Sequence, residues 1–583
     1  MTIRLTDRDR QMLDGRCGEG PRLAMAIIVR MAGVCGAGEL MDVTQAHIDG
    51  CGLLSDAGLE FAETLAARGA RVAIPTTLNM GPLDLQNWKV FGVREDFAAK
   101  AIRQAKAYTD MGCIPTWTCA PYQGYLAPRF GQQIAWGESN AVVYANSVLG
   151  ARTQRYGDYM DICAAITGRV PRQGLHLREN RRGQLLVRLA GFDAARLGEE
   201  TFWPAFGHFL GAAAGDRIPV IEGLPAGATD DQLKALGAAA ASSGAVALFH
   251  AVGLTPEAPT LEEAFQGARP EEVLEVRPAD IEGAAADLST ASDGAGLDVV
   301  LLGCPHFSFA EFRRLAGLVR RVGGRSRVEF IVITSAQSHA LVLRSDLVAP
   351  LADFGVRITL DTCMFHTPMV APGTRVLMTN SGKCAYYAPG ELGVQVAFGS
   401  LADCVRSAVE GRVCRASPGQ GRASPRRSRA APRAKPGGPP MTWRLTGQVL
   451  VAGSAEGRAL VSPEPLSFWG GFNPKTGEIV DRRHALSGHL ITGRALVLPA
   501  GKGSSTSSAC LLESIRAGTA PAAILLLKAD PILALGAIVA DELYGRSVPI
   551  LVLPEEEFRS LKDGDRVAVG RDGRLTVRCP DAG

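Results

Sequence analysis

Three cysteines lie in turn-like motifs far apart in the chain: Thr118-Cys119-Ala120-Pro121-Tyr122, Gly303-Cys304-Pro305-His306 and Asp361-Thr362-Cys363-Met364. Each motif sets a thiol among small or turn-forming residues, the kind of loop that can approach an iron–sulfur cluster without crowding it. A cluster that takes only three thiolates keeps one coordination position open, and that position can hold a substrate hydroxyl. The competing reading is that each cysteine is a small buried hydrophobe, the usual state of a free thiol, because separations this long match no local cluster signature. Cys113, close to Cys119, is a fourth candidate with a plainer flank.

Other segments bring groups that bind and move protons. Gly501-Lys502-Gly503-Ser504 is a glycine-rich turn entering a helix-like run, Ala509 to Arg516, and places amides, a lysine and hydroxyls at a positive helix end. It is not a phosphate loop of the ATP-binding kind, since Leu496 stands where the first glycine belongs and Gly503 follows the lysine. Ser504 could serve as a base if the local field stabilises its alkoxide, or the turn could simply cap the helix. The stretches from Trp136 to Ala141 and from Asn146 to Thr153 are dense in amides and hydroxyls beside one guanidinium, with Asn140, Ser147 and Arg152 able to orient a carboxylate and a hydroxyl. Capping and buried polar satisfaction account for the same serines and asparagines. Asn380-Ser381-Gly382-Lys383 is a similar case, and His47 and His306 could serve a metal, a proton transfer or the core.

Elements that position such groups are visible in the pattern. Up to about residue 414, strand-like runs alternate with amphipathic helical stretches, which predicts a layered α/β module. Val72 to Ile74, Val299 to Leu302, Phe330 to Ile333 and Val356 to Leu360 read as buried parallel strands, and the motifs containing Thr77 and Asn79, Cys304, and Cys363 follow directly after three of them. Ligands collect beyond the carboxyl ends of strands in such sheets. Residues 415–440, rich in arginine, proline and alanine, hold no large apolar residue and read as a flexible linker. Residues 441–583 read as a small α/β domain, with strands expected at Leu445 to Val451, Leu490 to Leu498, Ala522 to Leu527 and Val548 to Leu553.

Composition removes several function classes. A formal charge of +3 on 583 residues gives no basic face for nucleic acid. The stretch Leu23 to Cys35 contains Arg30 and is shorter than the roughly 20 apolar residues that span a bilayer, and the charged amino terminus lacks a secretory core, so the expectation is a soluble, cytoplasmic protein with no membrane partner. Thirteen cysteines at irregular spacing, with no Cys-x-x-Cys pair, argue for reduced thiols rather than a disulfide framework.

Taken together, PTTLN (75–79), TCAPYQ (118–123), AWGESNAVVYANSVLGARTQR (135–155), GCPH (303–306), DTCM (361–364), NSGK (380–383) and GKGSSTSS (501–508) resemble aconitase X, a branch of the aconitase superfamily, over nearly the whole chain except the linker. The resemblance implies an aconitase-like multi-layer α/β large module, residues 1–414, and a small C-terminal swivelling β/β/α domain. It implies that Cys119, Cys304 and Cys363 hold an iron–sulfur cluster, [2Fe-2S] favoured over [3Fe-4S] or [4Fe-4S], and that Ser504 is the catalytic base. On that footing Lys502 steadies the alkoxide, while Thr77, Asn79, Asn140, Ser147, Arg152 and Lys383 bind a small hydroxy amino acid.

The single-chain layout resembles cis-3-hydroxy-L-proline dehydratases, hydro-lyases that would act here as a monomer to give Δ1-pyrroline-2-carboxylate. The alternatives are a dehydratase of mevalonate 5-phosphate or another hydroxy acid, and a non-enzymatic iron–sulfur sensor or scaffold. Two features depart from the family pattern: Cys384 and Tyr386 stand where a tyrosine and a histidine are expected, and the linker is unusually rich in arginine.

Overall fold

Three of the apolar runs join two further strands in a five-stranded parallel sheet whose spatial order is Val356–Leu360, Glu329–Thr334, Val299–Leu302, Val376–Thr379 and Gln395–Phe398. Alternate residues of the central strands enter two separate cores, Leu301 and Ile331 on one face and Val300, Leu302 and Val332 on the other, because helices cover both faces. Chain order runs outward in one direction from Val299–Leu302 and then restarts on its other side with Val376–Thr379. At such a reversal the two outgoing loops diverge and leave a crevice beyond the strand ends. Here those loops are Gly303 to His306 and Asn380 to Lys383.

Gly303 makes the first of these turns possible. Its φ is +95°, and a Cβ there would lie 2.0 Å from the Ile333 carbonyl oxygen. Gly303→Ala is therefore expected to displace the backbone at Cys304 and to lower stability by about 2 kcal/mol. A urea midpoint equal to that of the parent protein would show that the loop has room to spare.

The structure is a computed structural model and describes residues 3–415, 442–482 and 484–579. The predicted linker lies outside the described residues apart from Arg415, which pairs with Asp293 at 2.6 Å. No helix among the described residues is long and apolar enough to cross a membrane.

A second parallel sheet has three short strands, Thr76–Leu78, Ala46–Ile48 and Ala135–Trp136, and a third has four, with Leu185–Leu189 and Pro219–Glu222 at its centre. The expected strand at Val72 to Ile74 is absent. Val72 and Ala73 donate instead to the Met111 and Ala165 carbonyls, and this rim segment is only partly covered. The strand is the polar-looking Thr76–Leu78 itself, fully buried.

The C-terminal module is an eight-stranded mixed sheet with helices Ser507–Ala517 and Pro531–Tyr544. The run expected as one strand from Leu445 to Val451 is two, Thr442–Thr446 and Gln448–Val451, which part at Gly447 and close opposite edges of the sheet. The strand expected from Leu490 is shortened to Ala495–Leu498, since Gly493 turns the chain at φ +67° and Leu490 is exposed.

The two helices of this module share one apolar core with helices Glu19–Val34 and Asp56–Ala67 of the amino-terminal segment. Arg30 bridges Asp541 and Glu542 at 2.9 Å each, the Ala57 amide donates to Glu513 at 3.1 Å, and the Tyr544 hydroxyl donates to Glu60 at 2.6 Å. The seam is thus apolar in the middle and polar at its rim, and it brings the Ser504 turn against the large module.

Candidate active site

A cleft opens between the crevice and the C-terminal module. Cys119, Cys304, Cys363, Glu138, Lys383 and Ser504 all line it. The three cysteines, separated by up to 244 positions in the chain (363 − 119), are thus brought to one place.

What holds their loops together is His306. Its Nε2–H donates to the Thr362 carbonyl at 2.8 Å, which fixes the tautomer and leaves Nδ1 to accept from the Thr118 hydroxyl at 3.2 Å. Its backbone amide donates to Cys119 Sγ at 3.2 Å. One imidazole therefore joins the residue after Pro305 to the neighbours of both other cysteines. Burial lowers its pKa to about 4, so the ring is neutral and serves as a staple rather than as a proton carrier at neutral pH.

Burial also raises the three thiols, Cys304 to about 11, Cys119 to about 12 and Cys363 well above its ordinary value. Such thiols ionise at neutral pH only against a metal charge. Among the described residues no three histidine, cysteine or acidic side chains converge closely enough for a single metal ion. Three soft thiol donors line this one cleft. Cys113 does not border the cleft; it is packed in the amino-terminal core.

Opposite the thiols stands the turn that enters helix Ser507–Ala517. Gly503 takes φ +85° there, and a Cβ would meet Ser467 Oγ at 2.6 Å. The Ser504 hydroxyl donates to Thr506 Oγ1 at 3.1 Å and accepts from the Thr506 amide at 3.3 Å. Arg155, half-buried, donates to the Gly503 carbonyl. Ser504 borders both the cleft and an adjoining recess, and Lys502 lines the recess with Arg155 and Asp530 rather than the cleft. The turn is anchored from below, where Ser505 donates to Asp49 Oδ2 at 2.6 Å and Ser508 donates to the Asp158 carbonyl at 3.3 Å. Burial, then the charge of Glu138, raises the pKa of Asp49, and Asp158 is pushed well above the carboxylate range by burial and by Asp49.

The predicted substrate-binding residues divide. Lys383 reaches the cleft and pairs with Glu138 at 2.5 Å. Asn79 and Asn140 stand one layer behind, both donating to Glu138, and Asn140 also donates to the Cys119 carbonyl at 3.1 Å. Thr77 bonds His47 at 2.8 Å beneath the cleft. Ser147 accepts the Phe249 amide at 2.9 Å, holding a helix end. Arg152 joins the Gln133 strand edge through its backbone and faces the His176 and Arg181 region. Neither Ser147 nor Arg152 lines the cleft.

Glu138, His366, Tyr387 and Trp469 also line the cleft, and the sequence assigned none of them a role there. Among the described residues, His366 Nδ1 and the Tyr387 hydroxyl are buried without a hydrogen-bond partner. Unpaired buried polar atoms of this kind are suited to receive a ligand.

Family models match the chain in order: the aconitase X first domain over residues 2–179, second domain over 183–286, third domain over 297–410 and the aconitase X swivel domain over 444–577. A cis-3-hydroxy-L-proline dehydratase of Hypocrea jecorina is 43% identical over 72% of this chain and 71% of its own. One of Pseudomonas aeruginosa is 45% identical over 70% of each. A phosphomevalonate dehydratase large subunit of Methanothermobacter thermautotrophicus is 38% identical over 69% of this chain and 98% of its own. The crystal structure of Thermococcus kodakaraensis aconitase X in its holo form superposes with a TM-score of 0.64 at 30% identity, covering 70% of this chain and 100% of that one.

Proposed function

Because the chain belongs to the aconitase X family, we propose that its cleft carries out dehydration with the large and small modules on opposite sides of one small molecule. The protein is a carbon–oxygen lyase that dehydrates cis-3-hydroxy-L-proline to Δ1-pyrroline-2-carboxylate. The observation that carries the mechanism is the meeting of Cys119, Cys304 and Cys363 with Ser504 across the same cleft.

An iron–sulfur cluster held by those cysteines would supply Lewis acidity toward the departing hydroxyl, and the likeness to single-chain relatives favours the [2Fe-2S] form over [3Fe-4S] or [4Fe-4S]. Ser504 takes the Cα proton. As its O–H bond forms, the Cα–H electron pair makes the new double bond and the C3–O bond breaks. The Thr506 amide and the amino end of the Ser507–Ala517 helix favour negative charge on Ser504 Oγ before transfer. Lys383 holds the substrate carboxylate, Asn79 and Asn140 support the Glu138 beside it, and Lys502 adds positive field from the recess. The enamine so formed tautomerises to the pyrroline.

We read residues 1–414 as the cluster-carrying module and 441–583 as the swivelling one, joined in a monomer. Thirteen free cysteines support a reducing compartment, the cytoplasm.

The test is anaerobic turnover by iron-reconstituted protein, with cis-3-hydroxy-L-proline and mevalonate 5-phosphate assayed side by side. Pyrroline-2-carboxylate from the first alone is the expected result. Turnover of the phosphate ester alone would move the substrate assignment to the alternative, and a loaded cluster with no turnover of either would favour a sensor or scaffold.

A further inference from the structure

Glu138 has no part in the proton transfer, yet it is the most elaborately held side chain in the cleft. It adopts φ +56°, a left-handed conformation that a residue with a Cβ seldom takes. Oε1 accepts from the Asn140 amide at 3.1 Å and the Asn140 side chain at 2.7 Å, and Oε2 accepts from Asn79 at 3.4 Å. These partners belong to packed elements and keep the carboxylate fixed. The Ser139 hydroxyl donates to Oε1 at 3.4 Å, and Lys383 reaches the same oxygen at 2.5 Å on a flexible four-carbon stem. The two side chains are 7% and 13% exposed, so their charges are already desolvated.

We propose that the Glu138–Lys383 pair is a receptor for a zwitterion, with Lys383 turning to the ligand carboxylate and Glu138 taking the ring ammonium. The amino-acid identity of the ligand rests on the dehydratase reading; the charge logic rests on the pair. A zwitterion that inserts between the two leaves every buried charge with a partner. An acid without an ammonium draws Lys383 away and strands Glu138 in a site where an unpaired charge is strongly unfavourable. Glu138 is thus placed to read the ring ammonium of a cyclic amino acid.

Two unreactive probes of nearly the same shape isolate the effect: L-proline, and cyclopentanecarboxylate, which lacks the amine. Titration calorimetry with the iron-reconstituted protein is expected to show proline binding at least about tenfold tighter. In Glu138→Gln the affinity for proline should fall by about 100-fold while that for cyclopentanecarboxylate rises, since no carboxylate is left stranded, and the retained binding also shows that the cleft is still folded. Lys383→Met should weaken both. Equal losses for the two acids in Glu138→Gln, no preference in the parent protein, or no binding of either acid would overturn the proposal. Preference for proline without turnover of cis-3-hydroxy-L-proline would keep the receptor and remove the dehydratase reading, whereas turnover without preference would do the reverse.

Discussion

Ser504→Ala is expected to slow turnover of cis-3-hydroxy-L-proline by about 10²–10⁴-fold, the range associated with loss of a positioned base, while leaving the iron content and visible spectrum unchanged. The two effects separate because the serine lies on the C-terminal module and the thiols on the other side of the cleft. A serine is a weak base unless its alkoxide is favoured, and the surroundings supply what that requires. Thr506 offers its amide to Oγ, the helix that begins at Ser507 points its amino end toward the site, and the Lys383 ammonium lies on the facing wall. Exchange of the substrate's Cα hydrogen with heavy water gives an independent readout, since it should vanish with the serine even where slow elimination persists. Activity near the parent level, or exchange unchanged in Ser504→Ala, would assign proton removal to another group, and the unpartnered Tyr387 hydroxyl and His366 would be next in reach.

The sequence shows most clearly those features that depend on local pattern. Val299–Leu302 and Glu329–Thr334 are apolar on both faces because helices cover both, so a continuous apolar run marks them, and the glycine after Leu302 marks the turn that carries Cys304. Thr76–Leu78 is hidden from the same reasoning, since its threonines satisfy their hydroxyls inside the sheet layer, Thr76 on the Ile74 carbonyl and Thr77 on His47. Residue type alone also fails to separate polar groups that serve the cleft from those that serve the fold. Ser147 and Asn140 sit on one helix, yet the first holds the Phe249 amide and the second holds Glu138. Glu138 looks like an ordinary helix cap, and it does accept the Asn140 amide as a cap would; its pairing with Lys383 depends on a strand and a turn 245 residues away. Burial alone would raise the Glu138 pKa, but the Lys383 charge and the Asn140 donors outweigh it and hold it near 2, a balance set entirely by tertiary contacts. His306 is the converse: its neighbours Cys304 and Pro305 suggest chemistry, and the structure makes it the tie between three loops.

Cys304→Ser and Cys363→Ser are each expected to lower bound iron by about tenfold or more and to abolish the cluster's visible absorption. The hydroxyl that replaces either thiol is smaller, harder and far less acidic, so it supplies no soft anionic donor. Burial already holds these thiols protonated, and only the charge of bound iron offsets that penalty. With one of three donors gone the remaining two lose the partner that justified their ionisation, so occupancy should fall steeply rather than by a third. Cys113→Ser is the matched control: Cys113 is likewise buried with a raised thiol pKa, but it packs in the amino-terminal core and does not border the cleft, so iron should remain at the parent level. Circular dichroism of all three variants guards against unfolding, because the His306 contacts to Thr118 and Thr362 do not need the sulfur of Cys304 or Cys363. Normal iron in both cleft variants would contradict the ligand assignment. Iron lost equally in Cys113→Ser would instead point to a general loosening of the module, and the case for three convergent thiolates would then rest on geometry alone.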